Sequence, residues 1–107
     1  MAIASAQPGA RFYGYIPEHS MKIFCEYILK KIDERSPSES TLFISVEQAM
    51  DSMYTAKIIV RSKQGNFLGR ALDAFDCVAV SKASTRILDS LSQWQIGKYK
   101  SKLESKI

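Results

Sequence analysis

The chain has 107 residues, 46% hydrophobic and 24% charged, enough for one modest core and too apolar for wholesale disorder. No apolar run approaches the ~20 residues of a membrane helix, and residues 1–10 have neither the basic nor the apolar stretch of a signal peptide. The net charge of +4 is unevenly spread, −2 over residues 1–53 and +6 over 54–107, an asymmetry that suits a polyanionic partner and does not prove one.

The expected organisation is a flexible tail over 1–10 and a single domain over 11–107, cytoplasmic and with no membrane contact. Arg11-Phe12-Tyr13-Gly14-Tyr15-Ile16-Pro17 is aromatic, β-prone and closed by proline, which suits a short first strand at a sheet edge. Met21, Phe24, Cys25, Ile28 and Ile32 then recur at steps of three and four. They predict a helix over about 18–35, ended by Ser36-Pro37-Ser38.

Three alternating runs follow. Leu42, Ile44 and Val46 alternate with Thr41, Phe43 and Ser45. Ala56, Ile58 and Val60 alternate with Lys57, Ile59 and Arg61, and Phe67, Gly69 and Ala71 with Leu68, Arg70 and Leu72. Ser62-Lys63-Gln64-Gly65-Asn66 reads as the hairpin between the last two. Helical spacing returns from Asp76 to about Ile96, with Val80, Ala83, Ile87, Leu91 and Trp94 on one stripe. Gly97 is expected to end or bend this helix, leaving a basic tail from about residue 97 that holds Lys98, Lys100 and Lys102. The fold class is therefore α+β in the order β-α-β-β-β-α. Two helices on one side of the sheet leave the other side bare.

Catalytic material is sparse. His19 is the one histidine, Cys25 lies on the apolar stripe, and the acidic residues near them read as a solvated helix face. Cys25 and Cys77 have no neighbours at metal-ligand spacing and read as two small buried hydrophobes in a reducing compartment. No phosphate-binding glycine loop, metal site or cofactor motif is present, so an enzyme is not expected. The basic residues carry the stronger signal. Lys57, Arg61 and Arg70 come from strands, Lys82 and Arg86 from the last helix, and Lys98, Lys100 and Lys102 from its end, with Tyr99 placed to stack on a base. A merely solvated helix and tail would show the same charges.

Three segments together resemble a family. They are Met21-Lys22-Ile23-Phe24 through Lys31-Ile32-Asp33, Ala56-Lys57-Ile58-Ile59-Val60 through Phe67-Leu68-Gly69-Arg70-Ala71, and Asp73-Ala74-Phe75 with Lys98-Tyr99-Lys100-Ser101-Lys102-Leu103. They are similar to the short ribosome hibernation-promoting factors and the ribosome-associated inhibitor, stress-response proteins that silence idle bacterial ribosomes. The resemblance spans roughly residues 11–106. It implies a four-stranded sheet with two helices packed on one face, and a non-enzymatic inhibitor of translation seated in the messenger channel of the small ribosomal subunit. Lys22, Lys31, Lys98, Lys100 and Lys102 would then meet ribosomal RNA, and Lys82 and Arg86 join them on charge alone. The chain departs from the pattern at Phe75, where a tyrosine is customary, and at Ile28, where a basic residue is common. The stretch between Asp73 and Lys98 is about two helical turns longer. The residues leave two other readings open: a double-stranded-RNA module, which shares the order helix, three strands, helix, and a protein-interaction or homodimerising domain that uses Phe43, Ile59 and Leu68 on the bare sheet face.

Overall fold

The computed structural model describes residues 9–105, with side chains through residue 100. The order is β1 (Gly9–Tyr13), α1 (His19–Asp33), β2 (Thr41–Gln48), β3 (Tyr54–Ser62), β4 (Gly65–Asp73) and α2 (Asp76–Ser105), the expected β-α-β-β-β-α. β1 begins at Gly9, inside the stretch read as a tail, and stops before Gly14. Gly14 adopts a positive φ of 81°, and a Cβ there would stand 2.8 Å from the Gln48 carbonyl oxygen.

The four strands lie in the order β1-β2-β3-β4. β1 runs parallel to β2, while β2–β3 and β3–β4 are antiparallel. The parallel pair follows from connectivity, because α1 carries the chain back across the sheet between β1 and β2. The β3–β4 hairpin closes on Lys63-Gln64, with Ser62 opposite Gly65. The 47–53 connector, ambiguous in sequence, is partly strand: β2 continues to Gln48 and a loop then closes by Ala49 N–H donating to the Met53 carbonyl at 2.8 Å.

Alternation decides which face is covered. Leu42, Ile44, Val46, Ala56, Ile58, Val60 and Ala71 are all buried and point to one side. There they meet Met21, Cys25, Ile28, Leu29 and Ile32 of α1 and Ala79, Val80, Ala83, Ile87 and Leu91 of α2. α1 lies over β1 and β2, and α2 over β4 and β3. Burying each such aliphatic side chain stabilises the fold by about 1.5–3 kcal/mol, so this layer is the source of stability. Gly69 lets α2 cross β4 closely, since a Cβ on it would run into the Ala83 carbonyl oxygen and lie 2.9 Å from Ile87 Cβ.

Two expectations need correction. Gly97 does not end α2, which runs for 30 residues in all, about 45 Å, so the segment from 97 to 105 is helix and not tail. A single glycine costs a helix only about 1 kcal/mol, and the flanking residues are good helix formers. Cys77 is exposed at the first turn of α2, so only Cys25 is a buried thiol. Periodicity places Cys77 one residue off the apolar stripe, which begins at Ala79 and Val80.

Burial pushes the Cys25 thiol up to about 12, with the Asp76 charge adding to the effect. Burial and a hydrogen bond donated from Tyr15 Oη to Asp76 Oδ2 at 2.9 Å also raise the Tyr15 phenol well above its usual value. Both shifts favour the neutral form in the fold. Their stabilisation is complete below the unfolded values, 9.0 for the thiol and 10.0 for the phenol, and is lost as pH climbs through the folded ones. The thermal midpoint should therefore fall above pH ~9, and Cys25→Ala should flatten the first part of that fall. In native protein a thiol reagent should modify Cys77 alone, with Cys25 reacting only in denaturant. A pH-independent midpoint through the alkaline range would contradict this account.

Candidate nucleic-acid interface

The side chains proposed for nucleic-acid contact do not form one patch. At 3.6 residues per turn Lys22 and Lys31 sit about 180° apart on α1, on opposite flanks of its exposed face. Lys82, Arg86 and Lys100 share one stripe of α2, and Lys98 lies about 200° round from Lys100. All six are exposed. The side chain of Lys102 lies outside the described residues.

Lys82 and Arg86 are occupied by the fold itself. Lys82 Nζ bonds Asp73 Oδ2 at 2.7 Å, and the Arg86 guanidinium donates to the Arg70 carbonyl on β4. These contacts hold α2 against the outer edge of the sheet and cover part of its unpaired backbone. The Lys82 ammonium, with help from the Phe75 backbone N–H, holds the Asp73 carboxyl below its usual range. For so exposed a pair the gain is small and screened by salt.

The basic residues converge instead where the two helices meet at their far end. Gln95 Nε2 donates to the Arg35 carbonyl at 3.0 Å, marking where α2 passes the end of α1. Beyond it residues 96–100 are all exposed, so the last turns of α2 project past the core. A cleft of about 360 Å³ sits in this junction between Ser36-Pro37-Ser38 and Trp94, Gln95, Lys98 and Tyr99.

Trp94 is half-buried, packed edge-to-face on Phe67 with centroids 5.9 Å apart. Lys98 Nζ lies 5.3 Å from the Trp94 ring centroid. Tyr99 is 65% exposed and available for stacking. The last turn of α1 adds Lys30 and Lys31, the latter 5.7 Å from the Tyr27 ring, with Arg35 just beyond. Cations held over rings keep their charge in water while their stems are ordered, which suits binding of phosphates beside bases.

Charge in the sequence pointed to Lys98 and Lys100, and the family resemblance to Lys31, but neither pointed to Arg35 or the cleft, because these depend on how far α2 runs beyond α1. Lys22, at the opposite end of α1, stands apart from this cluster. Among the described residues no group of His, Cys, Asp and Glu is arranged to hold a metal ion, and no helix is long and apolar enough to cross a membrane.

This β-α-β-β-β-α fold, a mixed four-stranded sheet with two helices on one face, is also found in other solved structures. One is the N-terminal domain of Protein Y from Thermus thermophilus, with a TM-score of 0.69 and 16% identity, covering 80% of this chain and 94% of that one. Another is a ribosomal subunit interface protein from Coxiella burnetii, with a TM-score of 0.69 and 13% identity, covering 84% of this chain and 99% of that one. At such identities the likeness establishes the fold. No protein-family model matches the sequence, and no curated protein matches it either.

Proposed function

We propose that this chain is a ribosome-binding inhibitor of translation that contacts RNA of the small subunit through the far ends of its two helices. The observation that carries this reading is the helix junction. Lys98 over Trp94 and the exposed Tyr99 line one cleft on a protruding helix, and its other wall, Ser36-Pro37-Ser38, directly follows the basic end of α1 that carries Lys31 and Arg35. The nearly whole-chain likeness to a ribosomal subunit interface protein supports the same partner. Binding would be electrostatic and shape-based, with Lys100 and Lys102 extending the contact and Lys22, Lys82 and Arg86 adding charge from outside the cleft.

Binding rather than catalysis fits the side chains. Cys25 is buried and held protonated, the opposite of an activated thiolate. His19 is exposed at the start of α1 beside the likewise exposed Glu18, and no hydrogen bond or ion pair orients its ring among the described residues. Such a factor would act in the cytoplasm, with no cofactor.

The test is cosedimentation of the chain with small ribosomal subunits at low and high salt. A handful of phosphate contacts predicts strong association that weakens by a hundredfold or more between about 50 mM and 200 mM salt. Absence of association at the lower concentration would overturn the proposal.

A further inference from the structure

The face of the sheet that no helix covers has an order of its own. Register places Arg11 opposite Ser45, Ser45 opposite Lys57, and Lys57 opposite Arg70, so one transverse row crosses all four strands with three cations and a serine. At about 4.8 Å between strands, that row is roughly 14 Å long. The next row on the same face is apolar: Phe43, Ile59 and Leu68. The row beyond it is Thr41, Arg61 and Asn66, and the Arg61 guanidinium lies 5.6 Å from the Phe43 ring centroid.

Arg11, Lys57, Arg61 and Arg70 are all exposed, and none has an ion-pair partner among the described residues. The one carboxylate on this face is Glu47, in the row with Tyr13, Thr55 and Leu72. Like charges directly opposite across a ladder are destabilising, so Lys57 facing Arg70 burdens the fold. A second copy of this face would add more positive charge, which argues against self-association and for an anion.

We propose that the open sheet face is a platform for single-stranded RNA, separate from the helix junction. The phosphate backbone follows the Arg11–Lys57–Arg70 row, and bases lie on the adjacent apolar row, with Phe43 as the stacking ring. The two rows are about 6.8 Å apart, which places the apolar surface beside the charges rather than beneath them. Duplex RNA keeps its bases paired and stacked internally and has no use for the apolar row. A single strand uses both.

The test uses the full chain and a labelled oligouridylate of about 12 nucleotides, without ribosomes, so that its failure is distinct from failure of the ribosome reading. Lys57→Glu should weaken binding tenfold or more. It also replaces a repulsion with an attraction across the ladder, so its thermal midpoint should equal or exceed that of the original chain. Phe43→Leu keeps apolar bulk but loses the ring, and should weaken binding about fivefold. Lys98→Glu with Lys100→Glu should weaken oligonucleotide binding less than Lys57→Glu alone does, since that pair lies on the helix side and not on the platform.

Unchanged affinity in Lys57→Glu would overturn the proposal. So would equal affinity for a duplex of the same length, or for polyglutamate, which would make the face a general or protein-directed anion surface. A dimer in solution that Lys57→Glu dissociates would identify the face as a self-association surface and overturn it as well.

Discussion

Gly69→Val should be among the most damaging single changes in this protein, costing about 3 kcal/mol or more and lowering the thermal midpoint by roughly 12–24 °C. An added Cβ collides with the Ala83 carbonyl and stands 2.9 Å from Ile87 Cβ and 3.0 Å from Ile87 N. Two of these three are backbone atoms of α2, which cannot rotate away as a side-chain tip would. The helix must lift from β4, and Ile58, Val60, Ala83 and Ile87 lose the close packing that keeps them fully buried. Since a domain of this size is stable by about 5–15 kcal/mol, the variant should be partly unfolded at physiological temperature. Gly69→Ala should show most of the same loss. Gly97→Ala is the control of opposite sign: its Cβ meets nothing within 4 Å in an exposed part of α2. It should stabilise by about 0.5–1 kcal/mol. Thermal melts of the three variants decide the matter, and a Gly69→Ala melt like that of the original chain would contradict the packing described.

Trp94→Ala should act on both stability and RNA binding. The ring is half-buried, packs edge-to-face on Phe67 and lies beneath Lys98, so its removal opens the floor of the junction cleft. A fully buried aromatic truncated to alanine costs about 3–5 kcal/mol, and partial exposure brings the expectation here to about 2 kcal/mol. Lys98 loses the surface over which it is held, so ribosome affinity should fall beyond what instability explains. Trp94→Phe should recover most of the stability. A melt unchanged by Trp94→Ala would show that the ring contributes no packing, and with it the account of the cleft would fail.

Much of the fold was legible in the sequence because the period of the apolar residues reports one buried face at a time. Leu42, Ile44, Val46, Ala56, Ile58 and Val60 named the inner side of the sheet, and Val80, Ala83, Ile87 and Leu91 the inner stripe of α2. Features set by pairing between segments were not legible. The parallel register of β1, which brings Arg11 into line with Lys57 and Arg70, depends on strand order, and no local pattern encodes it. Gly69 looked like any strand glycine until α2 was seen crossing it.

The candidate site divides in the same way. Lys98 and Lys100 stand out by charge and Lys31 by the family resemblance, whereas Lys82 and Arg86 carry equal charge and are engaged by Asp73 and the Arg70 carbonyl. Gly97 misled because helix propensity was read residue by residue, while a long helix tolerates one unfavourable position.

The most direct measurement compares the original chain with the Lys98→Glu, Lys100→Glu double variant in cosedimentation with small ribosomal subunits at low salt. Both substitutions lie on the exposed overhang of α2, so the melting behaviour should be unchanged. If the helix junction is the RNA-contacting site, reversing two charges there reduces association at least tenfold and makes the salt dependence shallower. Undiminished association of a folded double variant would show that the ribosome, if bound at all, is bound by another surface.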